Sequence, residues 1–215
     1  MQRKQRAVHE RKSFLSAGLA HSSVVLGSGE LMTWGLARQY QLGLDRITEK
    51  ERRAGTTEVN LEAPKDVHHS PDVVPTLKAS GDVVTTVACG SSHTLAVTRA
   101  GAVFSWGSGA FGRLGHGSDA DVRIPRQIEF KRKRIAKVSC GPDHCAAVSE
   151  VGEVLTWGAG SYGNLGHGDN TDQSMPKLVD GLVGKPCIAA VCGSKHTMAL
   201  SQSGVVLVWG HGGGG

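Results

Sequence analysis

The chain has 215 residues, a formal net charge of +5, 39% hydrophobic residues and only 5% aromatic ones. That length can bury a sizeable core, and the absence of any apolar run near eighteen residues excludes an evident membrane-spanning helix. Its 30 glycines and 7 prolines recur periodically, which points to turns and not to disorder.

Residues 1–13 form a basic tail, with Arg3, Lys4, Arg6, Arg11 and Lys12 against the single acid Glu10. No apolar stretch of secretory length follows, so no signal peptide is expected, while a mitochondrial presequence stays open as an alternative. A repeat then runs over 14–215. The four tryptophans, Trp34, Trp106, Trp157 and Trp209, each precede a glycine and each follow a histidine thirteen residues back: His21, His93, His144 and His196. A glycine stands eight residues after each histidine (Gly29, Gly101, Gly152, Gly204), so one ungapped frame occurs four times. Stacked copies of one unit are the first hypothesis.

The units lie at about 14–74, 75–125, 126–176 and 177–215. In the two full copies a proline, Pro125 or Pro176, stands nineteen residues after the tryptophan. The first copy carries an insertion at 45–71, charged and poor in aromatics, expected as a mobile loop and either a contact element or a neutral expansion. The fourth matches as far as Trp209-Gly210 and then reads His211 and four glycines, which suggests a fragment, a truncated product or part of a split structure.

Each copy reads as β structure. Thr94–Thr98 and Ala102–Trp106 are β-prone runs around Arg99-Ala100-Gly101, where glycine permits positive φ, and this predicts a hairpin. Period-two alternation puts Met32, Phe104, Leu155 and Leu207 on the strand face of the nearby tryptophan. One hairpin cannot bury such a stripe alone, so the copies should pack side by side.

Cys89, Cys140 and Cys192 share one repeat position and read as small buried residues. With Cys145 and Cys187 they make an odd total, so free thiols in a reducing compartment are expected. His144-Cys145 and His68-His69 are tempting ligand pairs, but without a C-x-x-C or matched partners no metal is expected, nor any cofactor. Gly107-Ser-Gly109-Ala-Phe-Gly112 and its sibling at 158–163 satisfy the dinucleotide fingerprint, yet the glycine-rich GRLGHG and GNLGHG that follow cannot supply the helix N-terminus that chemistry needs. The four histidines have no recurring nucleophile or carboxylate beside them and read as imidazoles satisfying backbone groups, so no catalytic residue is assigned. Lys131, Arg132, Lys133 and Arg134, with Lys137 nearby, read either as an import signal or anion-binding patch, including nucleic-acid contact, or as a solvated loop whose charges discourage edge pairing.

The pattern CGxxHT…G…WGxGxxGxLGxG…P at a period near fifty resembles the repeat of the regulator of chromosome condensation family. The resemblance implies an all-β fold, a β-propeller of which three to four of seven four-stranded blades are present here. It implies a non-catalytic module presenting loops to protein partners, a small GTPase or chromatin among them. Guanine-nucleotide exchange on a Ran-type GTPase is the alternative, although it needs a complete ring and a wedge segment that have no match here. The Gly-Trp-Arg-His-Thr runs of plant UV-B photoreceptors of this fold are replaced by GSSHT, GPDHC and GSKHT, which argues against light sensing. Ubiquitin ligases with these repeats carry them beside a catalytic domain that this chain lacks. A cytoplasmic or nuclear location and self-association through open blade edges complete the expectations.

Overall fold

A computed structural model describes residues 14–44 and 67–212. The basic tail and the insertion up to residue 66 lie outside the described residues, as do the expectations placed on them. Among the described residues, fifteen strands form four antiparallel sheets. Sheet 1 is β1 (Phe14–Ala17), β2 (His21–Val25), β3 (Leu31–Leu36) and β4 (Val67–Val73). Sheet 2 is β5 (Val84–Cys89), β6 (His93–Thr98), β7 (Val103–Gly107) and β8 (Val122–Gln127). Sheet 3 is β9 (Ile135–Cys140), β10 (His144–Ser149), β11 (Val154–Gly158) and β12 (Gln173–Leu178). Sheet 4 has three strands, β13 (Cys187–Cys192), β14 (His196–Ser201) and β15 (Val206–Gly210). The only α-helix among the described residues, α1 (Pro75–Ala79), links sheets 1 and 2.

Each frame is therefore the second and third strands of a sheet: the histidine opens the second and pairs with the glycine that follows the tryptophan on the third. Gly101, Gly152 and Gly204 take φ of 77°, 87° and 84° in the turn between them. A side chain there would be strained by the backbone alone. At Gly101 it would also stand 2.8 Å from the Arg134 side chain, because the turns of the first three sheets tuck beneath the segment leading to the next sheet, whereas the Gly204 turn is open.

One boundary differs from the sequence reading. Residues 67–71, expected as the end of a loop, belong to β4, and Pro71 matches Pro125 in β8 and Pro176 in β12. All three strands are sheet edges, where a residue without an amide proton forfeits no ladder bond. The insertion pushed this strand away from its tryptophan and so disguised it.

The sheets pack face to face in a row, an incomplete propeller. The strands β1, β5, β9 and β13 adjoin one another along one side of the row. Apolar cores fill the junctions, not the sheets. Val25, Leu31, Val74 and Leu77 meet Val87, Ala96 and Trp106 at the first. Leu95, Val97, Val103 and Ile128 meet Cys145, Ala147, Leu155 and Trp157 at the second. Ala146, Val148 and Val154 meet Ala190 and Ala199 at the third. Within each sheet the tryptophan face looks back to the preceding sheet and the alternate face looks forward, as period-two geometry requires.

Candidate protein-interaction faces

The repeated residues form a clasp at each junction. The Trp106 indole nitrogen donates to the backbone carbonyl of Gln41 at 3.0 Å, and the Thr94 hydroxyl donates to the same oxygen at 2.8 Å. At the third junction Trp209 and Thr197 both donate to the Asn164 carbonyl, at 2.9 and 2.7 Å. At the second, Trp157 donates to the Arg113 carbonyl at 2.9 Å, and Cys145 takes the place of the threonine with a longer contact of 3.4 Å. The histidine of the preceding sheet completes each clasp. His21 Nε2 lies 2.8 Å from Thr94 Oγ1, His144 Nε2 lies 2.9 Å from Thr197 Oγ1, and His93 Nε2 lies 3.1 Å from Cys145 Sγ.

These imidazoles are buried with their partners. Burial disfavours the charged ring and lowers the pKa of His21 and His144 to about 4, and that of His93 well below 6.5. Because Thr94 and Thr197 donate their hydroxyl protons to the carbonyls, His21 and His144 donate to them from Nε2, and the buried Nδ1 of His21 and His93 has no partner for a second proton. Sequence spacing found the histidines and tryptophans. It missed the hydroxyl and carbonyl partners, which lie in other copies. The ligand pair His144-Cys145 also separates, since adjacent strand residues point to opposite faces: His144 looks toward sheet 4 and Cys145 toward sheet 2. His68 lies in β4 with its Nδ1 3.6 Å from Asp72, while His69 is exposed.

Two faces carry the loops. The hairpin turns 27–30, 99–102, 150–153 and 202–205 lie on one, together with the segments that join successive sheets. The basic run is on this face. Lys131 and Arg132 are exposed at the tip of a tight bend with φ of 49° and 68°, the left-handed region that non-glycine residues seldom adopt. Lys133 and Arg134 are committed to the next hairpin: Lys133 Nζ meets Glu153 Oε2 at 2.6 Å, and Arg134 Nε meets Glu150 Oε2 at 3.0 Å. Half of the run's charge is therefore offset by neighbouring carboxylates.

The opposite face bears the loops that follow each tryptophan. The fingerprint-like glycines lead into a single 3₁₀ turn, Ala110–Gly112, in sheet 2 and into a plain turn at 161–163 in sheet 3, and in neither case into an α-helix. Their amides are already engaged: Gly109 donates to Asp121 Oδ1 at 2.9 Å and Gly160 to Asp172 Oδ1 at 2.8 Å. A phosphate would meet carboxylates there. In three successive sheets these loops raise an aromatic ring, each with a cation within about 6 Å of its centroid. Arg123 stands 5.4 Å from the Tyr40 centroid, Arg113 5.9 Å from Phe111, and Lys195 4.4 Å from Tyr162. Phe111 and Tyr162 keep 48% and 44% of their surface exposed. Beneath them Arg113 is buried, paired with Asp143 at 2.8 Å and donating to Ser91, Ser92 and the Ala110 carbonyl.

A family profile described as the RCC1-like domain matches residues 2–215. The human E3 ubiquitin-protein ligase HERC2 is 37% identical over 199 residues, which cover 91% of this chain and 4% of that protein. Among solved structures, human WBSCR16 superposes with a TM-score of 0.75 at 26% identity, over 91% of this chain and 46% of that one. Prp20p of Saccharomyces cerevisiae superposes with a TM-score of 0.70 at 21% identity, over 92% and 45% of the two chains. This chain thus spans less than half the length of each of these proteins. Among the described residues, no helix is long and apolar enough to cross a membrane. The clasped four-sheet repeat and the profile match agree, and the chain belongs to the RCC1-like domain family.

Proposed function

We propose that the chain is a non-catalytic protein-interaction module whose docking surface is the face carrying Tyr40, Phe111 and Tyr162. The observation that carries this reading is the row of three aromatic rings, each within about 6 Å of a cation and raised by the same loop of consecutive sheets. Aromatic and arginine side chains are the residues that dominate protein-protein binding energy, and rigid loops hold them without a large ordering cost. The titratable groups of the clasps are buried and serve packing.

Two partner classes fit: a small GTPase and a chromatin protein. The solved Prp20p is described with its binding to Gsp1p and histones, which makes those two proteins suitable probes. A cytoplasmic or nuclear site of action follows from that reading. Calorimetric titration with Gsp1p and with core histones should detect binding to one of them. Replacing both Phe111 and Tyr162 by alanine should weaken it by at least about tenfold. Failure of both probes to bind, or binding indifferent to the double replacement, would overturn the assignment. The competing reading is guanine-nucleotide exchange on a Ran-type GTPase, and release of labelled GDP separates it. The module should leave the release rate unchanged, whereas acceleration that needs folded protein would establish exchange instead.

A further inference from the structure

We propose that the junction between sheets 2 and 3 holds a soft monovalent metal ion, Cu(I), on His93, Cys140 and Cys145. The ligand atoms of these three side chains all lie within 4.8 Å of one another. Cys145 Sγ stands 3.9 Å from Cys140 Sγ and 3.1 Å from His93 Nε2. Two thiolates bound at the usual metal-sulfur length of about 2.3 Å in a trigonal plane stand ~4.0 Å apart. The sulfurs are already at that spacing, and the imidazole has to draw back from Cys145 by about half an ångström and settle ~3.7 Å from Cys140, from which it stands no more than 4.8 Å.

The cluster arises from one departure from the repeat. Cys140 occupies a position that is also cysteine in sheets 2 and 4, as Cys89 and Cys192, and His93 occupies the clasp position of every sheet. The first and third junctions place Thr94 and Thr197 opposite their histidines, whereas the second places Cys145. A thiol there keeps the clasp with a larger and weaker donor, 3.4 Å from the Arg113 carbonyl where Thr197 lies 2.7 Å from the Asn164 carbonyl. It also creates the one place among the described residues where two sulfurs and an imidazole converge.

Ligand type and number select the ion. Two thiolates and one imidazole are soft donors suited to Cu(I) and Zn(II). A structural zinc site takes four protein ligands, and here there are three. Three-coordinate Cu(I) is satisfied by this set in a dry junction. Binding displaces the thiol protons to solvent and changes no oxidation state. The resulting site carries one negative charge, set near the buried guanidinium of Arg113, which acts electrostatically on both His93 and Cys145. An entry path exists as well. Cys140 is only half-buried and lines an open cleft where the ends of β5, β9 and β13 converge, so an arriving ion meets it first.

The test uses the reduced chain under anaerobic conditions, with Cu(I) supplied against a chromophoric Cu(I) chelator. One equivalent should bind, and X-ray absorption should show two sulfur neighbours and one nitrogen neighbour. Cys145→Thr rebuilds the clasp of the other two junctions and should fold with an unchanged melting temperature, yet bind Cu(I) roughly 100-fold more weakly. Cys89→Ser and Cys192→Ser should leave the affinity intact. The proposal is overturned if Cys145→Thr binds as tightly as the parent chain, if the two serine replacements remove the binding, or if no equivalent binds with the predicted ligand set.

Discussion

Sheets 3 and 4 carry the same frame and experience different surroundings. Val154 of β11 is 1% exposed while its counterpart Val206 of β15 is 60% exposed, and Thr156 at 0% is matched by Val208 at 61%. The backward-facing residues differ less: Trp157 is fully buried, and Trp209 is half-buried but still bonded to the Asn164 carbonyl. Sheet 1 mirrors this, with forward-facing Leu31 and Thr33 buried and backward-facing Trp34 only half-buried. Burial in this repeat is conferred by the neighbouring sheet and not by a copy's own sequence. Stability should accordingly be a sum over junctions, as in other repeat proteins.

The largest expected effect breaks the comparison at the tryptophans. Trp106→Ala or Trp157→Ala should cost roughly 3–5 kcal/mol, the range for emptying a buried aromatic site. Trp34→Ala, at a half-buried indole that no other described sheet covers, should cost under about 2 kcal/mol. Denaturant unfolding measures both, and equal costs would mean that the indoles act within sheets and not between them.

Acid should weaken the junctions next. The folded pKa of His21 and His144 is depressed to about 4, below the free value near 6.5, so the unfolded chain binds protons first as pH falls. The stability these rings contribute is complete above pH ~6.5 and is lost as pH drops toward about 4. At pH 5 the loss should be roughly 2 kcal/mol per ring. Melting curves from pH 7.5 to 5 test it, and a flat profile would contradict burial of these imidazoles in neutral form.

Much of this was legible in the sequence, for a physical reason. A hairpin that presents a tryptophan stripe on one face writes its periodicity into a single copy, so the frame, the turn glycines and the stacking of units could all be read. The strand β4 was hidden because the insertion before Val67 broke the spacing from Trp34 to Pro71. The clasp carbonyls of Gln41, Arg113 and Asn164 left no signal, since a backbone oxygen has no residue type. The meeting of Cys145 with His93 and Cys140 also required the junction, because these side chains come from two sheets. The half-neutralised state of the basic run was invisible for the same reason: Glu150 and Glu153 lie across a turn, not beside it in the chain.

Smaller effects sharpen the contrast. The exposed forward face of sheet 4 should make this chain self-associate. Replacing Val206 and Val208 with lysine should lower the sedimentation-derived mass at micromolar concentration while changing stability by no more than about 0.5 kcal/mol per site. A monomer before replacement would show that the face is not adhesive. Replacing Lys131, Arg132, Lys133 and Arg134 together with serine should change stability least, by under about 1 kcal/mol per lost surface pair. The same variant should lose salt-dependent binding to nucleic acid or to an import receptor if Lys131 and Arg132 serve such a patch. Unchanged binding would leave the run as a solvated bend.

The most direct test of junction-built stability is hydrogen exchange of the four indole protons, followed individually by NMR. The indole protons of Trp106 and Trp157 should exchange only with global unfolding, that of Trp209 through detachment of sheet 4 alone, and that of Trp34 fastest. Four equal rates, or a Trp106 proton exchanging as fast as that of Trp34, would contradict the account.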